Sequence, residues 1–225
     1  MPVAGPKSQE EYKIEKMAKD LRPKAKQYRR LGIKPESNAD SSSLSRAIAR
    51  RDYPPGLHGP KGRQRQTDYG IHLQEKQKVR LLYGILEQQL SNYFKQASRI
   101  RGNTGLKLME LLERRLDNVI FRSGLATTRR QARQLVSHSH FLVNGKKMNI
   151  PSYFVKKGDI ISIKKDKSME SGPIAQGLKI MEKRDLVDWL VWDNTKNQLI
   201  VLDIPKEKNL QLGVDTRLIV EYYSK

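Results

Sequence analysis

Along the first 138 residues apolar side chains recur at every third or fourth position, and beyond them at every second, so the pattern predicts helices followed by short strands. "SQEEYKIEKMAKDL" opens with Ser8 and Glu11 at capping-box spacing and places Ile14, Met17, Ala18 and Leu21 at helical intervals, which predicts a short amphipathic helix. The next stretch, "RPKAKQYRRLGIKPESNADSSS", is basic and then polar with few large apolar residues. Alone it buries too little surface to fold, so it is expected to order only against a partner. Ser45 to Arg51 predicts another short helix, ended by Pro54 and Pro55. Gly56, Gly59 and Gly62 then permit tight turns and close backbone approach, with Lys61, Arg63 and Arg65 beside them.

The longest helix is predicted from about His72 to Arg101, because Val79, Leu82, Leu86, Leu90, Tyr93, Ala97 and Ile100 form one apolar stripe. Gly84 inside it costs about 1 kcal/mol relative to alanine and points to close packing there. "RGNTG" breaks the stripe. A second helix begins near Leu106, burying Leu108, Leu112, Leu116, Val119 and Ile120 and capped by Gly124, and a third begins at Thr128. Past His138, "HFLVNGKKMNI" predicts a hairpin turning at Asn144-Gly145, and "YFVKKGDIISI" two more short strands around Lys157-Gly158-Asp159. The stretch from Leu186 onward, rich in Leu, Ile and Val, reads as short strands and turns packed on the long N-terminal helix.

These elements describe an α+β chain in four parts. Residues 1–21 form an N-terminal extension, 22–104 a mainly helical region, 105–167 a small module of two helices with a short antiparallel sheet, and 168–225 strands returning to the helical region.

Composition narrows the function. With 225 residues the chain is long enough for a sizeable core. Its 44 Lys and Arg against 24 Asp and Glu, net +20, favour a polyanionic partner, either nucleic acid or an anionic membrane surface. The charge is concentrated: residues 1–104 hold 22 basic and 10 acidic side chains, 105–167 hold 14 and 5, and 168–225 hold 8 and 9. The last quarter therefore takes little part in polyanion binding. No apolar run approaches a membrane span and no secretory leader pattern is present, so the chain reads as soluble and unprocessed. The helix at 8–21 has mixed charge rather than the basic polar face of a membrane-surface anchor. Zero cysteines exclude disulfides, thiolate zinc and a cysteine nucleophile. His138 and His140 share a strand face without a third ligand nearby, which argues against a metal.

"TTRRQARQLVSHSHFLVNGKK" carries the sharpest chemistry. Thr128 and Gln131 form a capping box, which puts Arg129 and Arg130 in the first helical turn, where cations are disfavoured by roughly 0.3–1 kcal/mol each. Ala132, Leu135 and Val136 share one face, and Arg129, Arg130 and Arg133 fan across the adjoining arc, expected to face away from the core together. A phosphate reverses the helix-end penalty, because free backbone N–H groups and guanidiniums attract the same anion. A solvated polar face is the plainer reading of any one arginine; three of them, followed by Lys146 and Lys147 on a hairpin, favour nucleic acid. Helix, turn "SGLAT" and basic helix also fit a helix-turn-helix in duplex DNA, whereas the hairpin that follows directly suits a folded RNA backbone read by shape.

The stretch "LLERRLDNVIFRSGLATTRRQARQLVSHSHFLVNGKKMNIPSYFVKKGDIISI" resembles the small RNA-binding module named after small ribosomal subunit protein S-four. That module also occurs in RNA-modifying enzymes and a tyrosyl-transfer-RNA synthetase group. The flanks "YPPGLHGPKGRQRQTDYGIHLQEKQKVRLLYGILE", "YFKQASRIRGNTG" and "RLIVEYYSK" resemble the bacterial form of the ribosomal S-four family itself, from Arg22 to Lys225.

The resemblance implies a primary ribosomal RNA-binding protein, not an enzyme, which holds a multi-helix junction in the 5′ domain and nucleates assembly of the subunit body. It also implies contact with protein S-five, an effect on decoding accuracy, and a place where messenger RNA enters the subunit. By matching position, it assigns ribosomal RNA contacts to Arg114, Arg115, Arg122, Arg129, Arg130, Arg133, Lys146 and Lys147, with Lys24, Lys26, Arg29 and Arg30 added from the basic N-terminal region. Lys61, Arg63 and Arg65 fall on the messenger side. The localisation implied is a ribosome in the cytoplasm; an organellar source is left open, although acidic residues near the start argue against a transit peptide.

Many relatives bind zinc through four N-terminal cysteines. This chain has none, so no zinc or other cofactor is expected and "ESNADSSSLSRAIARR" must be held by packing and RNA. "RRLDN" contains the Arg-Leu-Asp triplet of pseudouridine synthases, but Asp117 sits in a helical pattern and no residues remain to form a catalytic domain. The GxxG spacings at Gly59–Gly62 and Gly102–Gly105 match KH domains too loosely to count.

Overall fold

Two hydrophobic cores divide the chain in the computed structural model, which describes residues 24–36, 43–51, 53–61, 65–164, 172–181, 186–210 and 213–224. The helix predicted over residues 8–21 lies outside the described residues, as does Arg63. Among the described residues five α-helices come first: α1 (Lys24–Leu31), α2 (Ser43–Ala49), α3 (Asp68–Tyr83), α4 (Glu87–Ser98) and α5 (Thr104–Glu113). Then come α6 (Leu116–Arg122), α7 (Arg129–Ser137), strands β1 (Phe141–Val143), β2 (Lys146–Met148) and β3 (Ile160–Ile163), and helix α8 (Pro173–Met181). Strands β4 (Leu190–Asp193) and β5 (Gln198–Val201) and helix α9 (Thr216–Ser224) complete the α+β fold.

Helix α1 corrects the expectation that the basic stretch after Arg22 orders only against a partner. Tyr28 is buried and Leu31 and Ile33 pack on the same core, so three apolar side chains dock the segment once α3 offers a surface. Leu44 and Ile48 of α2 pack there too. The buried Gly59 is a point of close approach: a Cβ on it would collide with the Pro54 carbonyl.

The single helix predicted from His72 to Arg101 is two helices. Gly84 adopts φ +62°, and its N–H donates to the carbonyls of Arg80 and Leu81, which ends α3. Glycine reaches this left-handed conformation without the clash a Cβ would make. Val79 and Leu82 from α3 and Leu90, Tyr93 and Ala97 from α4 bury into one core, so the apolar stripe runs across the break unbroken.

The next predicted helix also divides, at Arg115, whose backbone is extended (φ −66°, ψ 136°) and forms an isolated antiparallel bridge with Phe154. The Leu116 N–H donates to Tyr153 O at 2.9 Å and the Val155 N–H to Arg114 O at 2.9 Å. These bonds replace the strand expected before Lys157; only Ile160–Ile163 enters the sheet. The predicted hairpin is present, with Val143 paired to Lys146 across Asn144 (φ 50°) and Gly145 (φ 77°).

Among the described residues the sheet has five antiparallel strands in the order β2-β1-β3-β5-β4. The expected return of residues 168–225 to the helical region therefore splits in two. Ile174, Met181, Trp189, Leu190, Leu199 and Val201 join the core of α6, α7 and the sheet. Helix α8 lies so close that a Cβ on Gly177 would collide with the Leu125 carbonyl. Among the described residues Leu210 and Ile219 bury into the helical core, with Val214 and Tyr223 packed against it, and "TRLIVEYYS" is helix rather than strand. Its Tyr223 stacks on Phe94 at 4.7 Å between centroids, a contact that i, i+4 spacing from Ile219 puts on one helical face.

Candidate nucleic-acid interface

Helix α7 starts at Arg129 behind a Thr128 cap, as its sequence predicts, but the return bond of the capping box falls on Thr127 rather than Thr128. The Thr128 hydroxyl accepts from the Gln131 N–H at 3.2 Å, while the Gln131 side-chain oxygen accepts from the N–H and hydroxyl of Thr127 at 2.7 and 2.6 Å. Ala132, Leu135 and Val136 are buried on one face.

The arginines do not face outward together. Arg129 is 8% exposed. Its Nε donates to Asn118 Oδ1 at 2.8 Å, and its Nη1 lies 2.8 Å from a carboxylate oxygen of Glu36. Its guanidinium lies over the rings of Phe121 and Tyr83, at 4.5 and 4.9 Å from their centroids. An internal carboxylate thus meets the helix-end cation for which the sequence offered a phosphate. Arg133 reaches Asp117 Oδ2 at 2.8 Å, and donates to the carbonyls of Gly84 at 2.6 Å and Tyr83 at 3.2 Å. Those carbonyls close the C-terminal end of α3, where a cation is favoured by the helix dipole.

Three further arginines expected to contact RNA are held in the same way. Arg115, 2% exposed, makes a bidentate pair with Asp117 at 3.0 and 2.8 Å and donates to the Tyr93 hydroxyl at 2.5 Å. Direct surface contact by Arg115 is thereby corrected: its guanidinium is spent inside the protein. Arg122 grips Glu113 through two bonds of 3.0 and 2.9 Å, with Glu36 at 3.6 Å. Arg114 donates to Val155 O at 3.1 Å and pairs with Glu110 at 3.3 Å.

Glu113 is the acidic centre of this network. Its carboxylate also accepts from the Tyr83 hydroxyl at 2.6 Å and from Asn118 Nδ2 at 2.7 Å. Burial pushes its pKa up, but the hydrogen bond and charge of Arg122, with Arg129 and Tyr83 helping, outweigh burial and hold the carboxyl below its ordinary range. The same desolvation, reinforced by Glu113, raises the Tyr83 phenol well above its usual value. Sequence reasoning missed Glu36, Glu113 and Asn118 as partners. The available signal was the alternation of Glu113, Asp117 and Asn118 with Arg114 and Arg115 between the apolar residues of "LLERRLDNVIF".

The cations left pointing outward are Arg130 on the first turn of α7 and Lys146 and Lys147 on the edge strand β2, all exposed. Among the described residues none of the three has an ion-pair partner. On the N-terminal side Lys26, Arg30, Lys61 and Arg65 are exposed, and Lys24 is half-buried. Arg29 donates to Tyr53 O at 2.9 Å and lies over its ring at 5.0 Å. Glu36 brings the stretch after α1 against the start of α7, so the basic N-terminal region adjoins the module. His138 and His140 stand 6.3 Å apart between ring centroids, and among the described residues no group of three metal-ligating side chains forms. No described helix is long and apolar enough to cross a membrane.

Residues 114–161, from Arg114 through the hairpin to the start of β3, match the family described as the S4 domain. Residues 19–113 match the ribosomal protein S4/S9 N-terminal domain. The chain is 46% identical over 209 residues to the small ribosomal subunit protein uS4 of Cutibacterium acnes, covering 93% of this chain and all of that one. The chain belongs to the uS4 family.

The uS4 protein of Persephonella marina is 48% identical over 211 residues, 92% of this chain and 100% of the relative. That of Thermodesulfovibrio yellowstonii is 49% identical over 180 residues, 80% and 85% of the two chains. A uS4-family chain is a ribosomal protein with an RNA-binding module and is not an enzyme. Within the uS4 frame, Arg130, Lys146 and Lys147 fall in the S4 domain and the basic residues from Lys24 to Arg65 in the N-terminal one.

Proposed function

We propose that this uS4-family chain is a primary ribosomal RNA-binding constituent of the small subunit, which grips the 5′ domain and nucleates assembly of the subunit body. The observation that carries the reading is the division of labour among its cations. Arg129, Arg133, Arg115 and Arg122 are committed to carboxylates inside the protein, which fixes the shape of the surface. Arg130, Lys146 and Lys147 project from the matched RNA-binding module. Arg130 sits where free helix N–H groups add to its attraction for phosphate. Arg114 lends a half-buried edge to that surface, and Lys24, Lys26, Arg29 and Arg30 extend it through the N-terminal region.

In the same reading, the exposed Lys61 and Arg65, with Arg63, line the place where messenger RNA enters, and the protein contacts S-five and contributes to decoding accuracy. It works in the ribosome, in the cytoplasm and away from membranes. It needs no zinc, since the chain supplies no thiolate and α2 is docked by Leu44 and Ile48 instead.

Replacing Arg130, Lys146 and Lys147 with glutamine should weaken binding to a 5′-domain transcript. The slope of log affinity against log salt should flatten by about one for each phosphate contact removed. Filter binding at several salt concentrations checks this, with duplex DNA of equal charge as the control. Equal affinity for the duplex, or an unchanged slope, would overturn the reading.

A further inference from the structure

A cleft of about 410 Å³ lies between α1 and α3, outside the S4 domain. Its size falls within the range of small-ligand sites. Of the ten described residues that line it, four are glutamines, two are arginines and three are leucines, with no carboxylate among them. On a protein that needs cations to meet a polyanion, this is a different chemistry. A phosphate contact carries no sequence information, whereas an amide presents a donor and an acceptor side by side, which matches a base edge.

Side chains from both helices line the cleft. Gln74, Gln77 and Arg80 follow one another at helical spacing along α3. Gln74 Nε2 donates to Leu31 O at 3.2 Å, which fixes the floor between the two helices. Arg80 Nε is buried without a hydrogen-bond partner among the described residues. A buried donor left unmade is costly, and Arg80, only half-buried as a residue, can turn it toward an acceptor on a ligand. Leu31 and Leu73 are half-buried, offering apolar surface to the flat face of a ring, and Arg30 is exposed at the α1 side.

We propose that this cleft takes an unstacked purine base from the bound RNA, its edge read by Gln77 and Arg80 and its backbone phosphate met by Arg30. The proposal rests on the ribosomal RNA reading above and adds a base-reading site to it. Glutamine pairs with the N6/N7 edge of adenine and arginine with the O6/N7 edge of guanine, so purines are favoured over pyrimidines.

The test uses the full chain, the 5′-domain transcript and the variant Gln77→Met, which keeps the side chain's length and removes only the amide. Affinity should fall about tenfold, as expected for loss of one base contact, while the salt slope stays at the wild-type value because no phosphate contact is lost. An affinity within about twofold of wild type, or a flattened slope, overturns the cleft. Wild-type protein that fails to bind the transcript overturns the underlying reading instead. A second measurement does not depend on the variant: chemical shifts of the side-chain amides followed during titration with adenosine monophosphate and with ribose 5-phosphate. Shifts of the Gln77 amide with the nucleotide alone support base reading; equal shifts with both mark a phosphate site and overturn it.

Discussion

Asp117 holds two guanidiniums at once, Arg115 at 2.8 Å and Arg133 at 2.8 Å, with 2% of its surface exposed. A buried ion pair adds little over a well-packed apolar pair, but removing one partner strands a charge in a medium that solvates it poorly. Asp117→Ala strands Arg115 inside the protein and removes the carboxylate partner of Arg133 on α7. The expected loss is roughly 3–5 kcal/mol of unfolding free energy, read from urea denaturation. A loss below about 1 kcal/mol, the range of a surface pair, would show that the pairs are not sealed from water. Arg130→Gln, by contrast, removes an exposed cation and should leave the urea midpoint unchanged while altering RNA binding.

At the level of elements, the features that the sequence disclosed are those whose cause is local. Thr128 caps α7 through a group three residues away, and Asn144-Gly145 turns the hairpin through its own left-handed backbone. The break at Gly84 was hidden because both flanking helices bury into one core, so the periodic signal does not lapse. The fate of Arg133 was hidden for another reason: its partners Asp117 and Gly84 lie 16 and 49 residues away. Helical periodicity gave which face of α7 is apolar and could not say what the adjoining arc would meet. Gly84 also yields a prediction. At φ +62° an alanine pays the left-handed penalty of about 1–2 kcal/mol, so Gly84→Ala should lower the thermal midpoint. A higher midpoint would mean that α3 and α4 had fused into the continuous helix that the stripe suggests.

Across the whole molecule, the buried ion network joins the two cores. Glu113 closes α5 of the helical core, and Arg122 and Arg129 belong to the other. Since the folded Glu113 carboxyl is held below its unfolded value of about 4.3, it stabilises the fold above that pH, and the contribution is lost as pH falls through the lower folded value. Glu113→Gln should therefore be less stable than wild type at neutral pH, with the difference narrowing below about pH 4. Urea midpoints of the two proteins along a pH series check this, and a constant difference would show that Glu113 does not titrate in the linkage.

The two cores also differ in how much chain each one spans. Residues from Leu116 to Val201 are enough to close the core that contains the S4 domain. The helical core opens with Tyr28 yet takes in Ile219 from α9, whose Glu221 reaches back to His72 at 2.6 Å across 149 residues. During folding the RNA-binding module can therefore close first. The helical half must wait for α9 to return across nearly the whole chain, so the module's shorter closures are expected to form ahead of it.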